Sequence, residues 1–237
     1  MPELAAARQA GVWWRDYDQE VLADSPVSYW KLDETSGTTV TDSVGSNHGT
    51  YAGATLNQAP LINARSSVLF SGSSSGITIP YAASLSFINT AFSLGCWVKT
   101  TQAVAVRLFD KSTSGSNWPE YWIYMNASGT VTAEVRSSNA DTPKVSATTT
   151  VTVNDGMRHR VFAAFVPSGT LKIYIDGVER ASVTHALTSS YNNGSPLYIA
   201  RRSTADYLAG NMDEVDLYAS ALSAARVLAH YNAGIAP

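Results

Sequence analysis

From Val27 onward, short apolar runs recur between clusters of Gly, Ser, Asn and Asp, a pattern that predicts strands joined by tight turns. The segment 92–99 shows the period most cleanly. Phe92, Leu94, Cys96 and Val98 fall on one side, and Ser93, Trp97 and Lys99 on the other. Further strands are predicted at VSYWKL (27–32), SVLF (67–70), GITI (76–79), VRLFDK (106–111), EYWIYMNA (120–127) and TVTAEVRS (130–137). They continue through RHRVFAAFV (158–166), LKIYIDGVERASV (171–183), LYIARR (197–202) and NMDEVDLY (211–218). Asn126 to Gly129 reads as a hairpin loop, and Asp176-Gly177 supplies the two positive-φ residues of a type I′ hairpin turn.

The helical period appears only at the two ends. Leu4 to Ala10 is Ala-rich and interrupted by Gly11, and Trp14, Tyr17 and Val21 then share one face of a second short helix. Asp24-Ser25-Pro26 breaks it. Ser223 is the predicted N-cap of a helix from Ala224 to about Asn232, with Gly234 near its end. The resulting division is an arm, 1–24, followed by a β-sandwich, 25–237. The arm carries Trp13, Trp14 and Tyr17, aromatic anchors suited to docking on a larger assembly or a sister subunit. The other reading is an arm folded back on its own sandwich, because apolar side chains need covering.

Composition narrows the function classes. The chain has 237 residues, 45% apolar and 15% charged, with a net charge of -3. That apolar fraction supports a full core. Nucleic-acid binding needs clustered Lys and Arg, and the pair Arg201-Arg202 is too small a group, so it reads as an exposed loop. No stretch approaches the ~20 apolar residues of a spanning helix, so no membrane residence is expected. The single cysteine, Cys96, excludes an intrachain disulfide and reads as a buried small hydrophobe. The first residues, MPELAAARQAG, do not read as a secretory signal, so folding in a cytoplasm is expected.

Saccharide recognition combines aromatic faces for the apolar side of a sugar with polar side chains for its hydroxyls. Asn117, Trp118, Tyr121, Trp122 and Asn139 are the candidates, around the Ser-rich stretch 112–119. Strand alternation sets Tyr121, Ile123 and Met125 on one face and Trp122 and Tyr124 on the other, so at least one face belongs to the core. The four histidines have no zinc-ligand spacing, and no nucleophile–base arrangement is visible.

Four segments in order resemble laminin G-like domains of the concanavalin A-like lectin/glucanase superfamily. They are VSYWKLDETSGTTVTDSVGSNHGTY (27–51), FSLGCWVK (92–99), the stretch from Asp155 to Glu179, and the stretch from Leu197 to Gly234. Arg158 stands where the family usually has tryptophan. The resemblance implies an all-β, two-sheet antiparallel jelly-roll sandwich, here with a partly helical N-terminal arm and a short C-terminal helix. It also implies a structural calcium between the first and last strands, for which Asp33, Asp42 and Asp213 are the matching carboxylates. The alternative for Asp33 and Asp42 is turn capping. Family glucanases carry Glu-x-Asp-x-Glu on one strand. Here Glu214 and Asp216 match two positions and Tyr218 stands at the third, so a retaining pair is short of its acid.

The segment 22–37 and the ending 219–227 further resemble tailed-phage structural proteins. The expectation is therefore a non-catalytic virion subunit, a capsid decoration or tail-associated protein. It would contact the major capsid or tail protein, be made in a host cytoplasm and be repeated as a homo-oligomer. The alternative is a lectin-like module, with or without calcium, that adheres to cell-surface glycan outside a cell. A glycoside hydrolase ranks third.

Overall fold

A computed structural model describes residues 16–62, 65–113, 119–138, 140 and 142–236. Its first helix, α1 (Tyr17–Ala23), precedes sixteen strands, and a second helix, α2 (Ala224–Ile235), follows them. Two antiparallel sheets of eight strands each carry the fold. The back sheet contains β1 (Ser28–Trp30), β4 (Thr55–Gln58), β5 (Ser67–Ser71), β7 (Phe92–Lys99), β12 (Arg158–Phe165), β13 (Thr170–Ile175), β14 (Val178–Thr184) and β16 (Ala209–Tyr218). Its order is β14-β13-β12-β7-β16-β5-β4, with β1 also on β16. The front sheet contains β2 (Thr39–Val40), β3 (Gly49–Ala52), β6 (Gly76–Ile79), β8 (Val106–Ser112), β9 (Pro119–Met125), β10 (Thr130–Arg136), β11 (Lys144–Thr152) and β15 (Leu197–Ile199). Its order is β11-β10-β9-β8-β15-β6-β3-β2.

Alternation along each strand divides the molecule into layers. Phe92, Leu94, Cys96 and Val98 of β7 meet Tyr121, Ile123 and Met125 of β9 in the core between the sheets. Trp97, Phe162, Tyr174 and Tyr218 emerge on the opposite side of the back sheet, where helices cover them. Tyr17 and Val21 of α1 and Val227 and Ala233 of α2 complete this second cluster. The central strands of the back sheet are therefore buried on both faces, while its edge strand β14 stays exposed. Gly234 sits inside α2, not after it, because a side chain there would meet Trp97: a Cβ would lie 2.4 Å from Cζ2.

The two helices are also joined by charge. The Asp24 carboxylate accepts from Arg226 Nε at 2.9 Å and lies 2.7 Å from His230 Nε2, while Arg226 Nη2 donates to Glu20 at 2.5 Å. Tyr17 is only 4% exposed, its ring edge-on to Trp97. This corrects the expectation that Tyr17 docks a partner: its apolar ring is already spent on the chain's own sandwich. Trp13 and Trp14 lie outside the described residues.

Between helices and sheet lies a sealed polar layer. Arg160 pairs with Asp216, and Arg160 Nη1 donates to the Glu214 carbonyl at 3.0 Å. Neither side chain of the pair reaches solvent. Glu214 takes a left-handed backbone, φ 48°, where the register of β16 against β7 slips between Asp213 and Asp216.

Candidate functional site

Both described helices cover the back sheet, and the outer face of the front sheet carries neither. Strand register lines up one residue from every strand on it. Thr39 pairs with Thr50, Thr50 with Thr78, and Thr78 with Tyr198. Tyr198 then pairs with Asp110, Asp110 with Trp122, Trp122 with Glu134, and Glu134 with Ser146. Hydroxyls, two aromatic rings and two carboxylates thus form a continuous row across eight strands. The row is exposed at its ends and buried in the middle, where Asp110 is 0%, Glu134 6%, Trp122 7% and Tyr198 9% exposed. A second row beside it runs Arg107, Tyr124, Thr132, Thr148.

Arginines lie over the rings of these rows. The Arg107 guanidinium carbon sits 3.8 Å from the Trp122 ring centroid and 4.5 Å from that of Tyr124, between Asp110 and Asp206 at 3.4 Å each. The Arg201 guanidinium stands over Tyr198, and its Nη2 donates to Thr78 Oγ1 at 2.6 Å. Removal from water pushes Asp110 and Glu134 above the usual carboxylate range and Arg107 below the usual guanidinium range. Trp122 Nε1, Arg107 Nε, Arg201 Nε and Asp110 Oδ2 are all buried without a hydrogen-bond partner. Aromatic rings set among hydroxyls, carboxylates and guanidinium groups suit a polyhydroxylated ligand, which offers apolar ring faces and many hydroxyls.

The Laminin G 3 family model, described as belonging to the concanavalin A-like lectin/glucanases superfamily, matches residues 71–228. The chain belongs to this family. No curated protein sequence matches it. The fold of this laminin G-like domain is similar to several solved binding domains. The binding domain of Paraclostridial Mosquitocidal Protein 1 superposes with a TM-score of 0.71 at 14% identity, covering 89% of this chain and 52% of that one. Domain 4 of AbnA, an extracellular arabinanase of Geobacillus stearothermophilus solved with arabinotriose, gives 0.65 at 19% identity, covering 87% and 98%. The binding domain of botulinum neurotoxin serotype D gives 0.67 at 13% identity, covering 90% and 52%. The laminin G-like domain thus spans about half of the two toxin binding domains and nearly all of the arabinanase domain.

The sequence candidates separate on this frame. Tyr121 is 1% exposed, faces the core, and donates its hydroxyl to the Leu85 carbonyl, so it is corrected to a packing residue. Trp122 does lie on the outer face, but as the floor beneath Arg107, at 7% exposure. Asn117, Trp118 and Asn139 lie outside the described residues. Arg107, Tyr198, Arg201 and the hydroxyl row were missed. Tyr198 and Thr78 alternate with core residues in short strands, a period-2 signal open to reading, whereas their alignment across strands depends on long-range register.

The laminin G-like domain does not gather Asp33, Asp42 and Asp213 into one site; among the described residues no group of three or more His, Cys, Asp or Glu could hold a metal. Asp42 instead clamps backbone, its Oδ1 accepting from the amides of Tyr29, Val44 and Gly45 and its Oδ2 from that of Asn47. A carboxylate so occupied by N–H donors does not fit a calcium shell of oxygen donors around a cation. Asp213 is buried behind the back sheet, where Leu61 N donates to it at 3.3 Å, while Asp33 stays half-exposed, 3.9 Å from Arg65. Glu214 and Asp216 are no glycosidase pair in waiting: Tyr29 Oη and Arg160 engage them, and both are sealed from solvent.

Proposed function

We propose that this domain binds saccharide through the outer face of its front sheet, without chemical turnover. The observation that carries the reading is the cross-strand row from Thr39 to Ser146, with its aromatic rings, hydroxyls and carboxylates, on a sheet face that neither described helix covers. The likeness to toxin binding domains and to an arabinanase domain holding arabinotriose supports it at the level of fold. Affinity electrophoresis through immobilised polysaccharides, followed by a glycan array, tests it. The expected result is retention on at least one glycan, weakened roughly tenfold or more by Tyr198→Ala, read at a temperature where circular dichroism shows the variant folded. Absence of retention across the whole array would refute the reading, as would full retention by Tyr198→Ala.

The resemblance of 22–37 and 219–227 to tailed-phage structural proteins supports placing such a module on a virion surface, where glycan contact and structural display are compatible. Mass spectrometry of particles purified from the native source tests that placement. Fixed stoichiometry against the major shell protein is expected, and absence from particles would overturn it.

A further inference from the structure

Arg201 is held in place by four features of the fold. Ala200, just before it, has a left-handed backbone with φ 61°, a conformation unfavourable for a non-glycine residue, which ends β15 abruptly. Its aliphatic stem lies directly on Gly76 of β6: a Cβ there would come within 2.4 Å of Arg201 Cδ and 2.6 Å of Cγ. Its guanidinium spreads over the Tyr198 ring, 5.3 Å from the centroid. Thr78 Oγ1 then fixes Nη2.

Such anchoring usually serves an ion pair. Yet among the described residues no carboxylate lies within salt-bridge distance of Arg201, and its Nε is buried with no acceptor. Arg107, along the same face, is by contrast flanked by Asp110 and Asp206. A guanidinium presents a planar fork matched to two oxygens of one anionic group, and the fork of Arg201 has no carboxylate to fill it among the described residues. Its neighbours, Tyr198 and the hydroxyls of Thr78 and Thr50, are those a sugar ring would use.

We propose that Arg201 is the receptor for an anionic oxo group on the saccharide, so that the front face takes acidic glycans in preference to neutral ones. The proposal rests on the glycan-binding reading and deepens it. The ring would lie beside Tyr198 and the threonine row, with its anionic group on the accessible edge of the guanidinium. Gly76 is then a positioning residue, which keeps the strand surface clear for the arginine stem.

The test uses matched pairs on the intact chain: sialyllactose against lactose for a carboxylate, and sulfated against unsulfated N-acetyllactosamine for a sulfate. Dissociation constants are measured at low and high salt. The acidic member of at least one pair is expected to bind roughly ten- to hundredfold tighter, with the preference shrinking as salt rises. Arg201→Gln should abolish the preference, lowering affinity for the acidic member of a pair far more than for the neutral one. Gly76→Ala should reduce the preference with every charge retained, which a merely electrostatic surface would not show. Equal affinity within both pairs, or a preference that survives Arg201→Gln, overturns the proposal while glycan binding stands. Failure of all four sugars together with an empty glycan array overturns both.

Discussion

At the scale of single residues, the energetics concentrate behind the back sheet. Arg160 and Asp216 form a pair without solvent access, and such a pair is costly to break from one side because the survivor keeps its charge in a dry place. Arg160→Met is expected to lower stability by about 3–5 kcal/mol, read from urea unfolding. Asp213 and Glu214 make a different prediction. Burial raises both carboxyl groups well above the ordinary carboxylate range, and each disfavours charge on its neighbour. The folded state therefore holds protons that the unfolded chain releases near pH 4. Stability from these groups is complete below that pH and declines as pH rises toward their raised folded values, by up to about 1.4 kcal/mol per unit for each group. Thermal melts between pH 5 and 9 should fall with pH, and Asp213→Asn with Glu214→Gln should flatten the slope. A rising slope in the parent protein would contradict this assignment. Cys96 is the quiet counterpart: burial pushes its thiol up to about 12, consistent with the inert hydrophobe its strand position predicts.

At the scale of elements, what the chain reveals locally is what local physics determines. The type I′ turn is present, with φ of 55° at Asp176 and 76° at Gly177, and Ser223 caps α2 by accepting from Arg226 N. The alternation of β7 divides correctly between the two apolar clusters. Strand β11 went unread because its outward Lys144, Ser146, Thr148 and Thr150 leave only Val145, Ala147 and Val151 as apolar signal, too weak to stand out alone. The Arg201-Arg202 pair read as loop, because the left-handed turn at Ala200 and the clearance at Gly76 are invisible without the register of β6 beside β15. Glu214 misled in the same way: the slip in β16 cancels the alternation that a Glu-x-Asp pattern assumes. The arm carries its own prediction. Tyr17 and Val21 bury against Trp97 and its neighbours, and Asp24 and Glu20 hold α2. Removing residues 1–23 is expected to cost about 3–6 kcal/mol from these two side chains alone, seen as a lower melting temperature and a newly solvent-quenched Trp97. A truncated chain that melts like the parent would show that the arm contributes nothing to the sandwich.

At the scale of the whole molecule, the two sheets have unequal fates. The back sheet is sandwiched between the core and two helices, and the polar groups behind it are dry. The front sheet packs on the core with one face, and the rows on its other face carry arginines, carboxylates, rings and hydroxyls. Both helices, the first described element and the last, sit on the back. A linker, a carrier or a sensor chip attached beyond either helix would therefore meet the molecule from behind. The domain is built like a mirror on a bracket: a mount made on either helix leaves the front face pointing away from it.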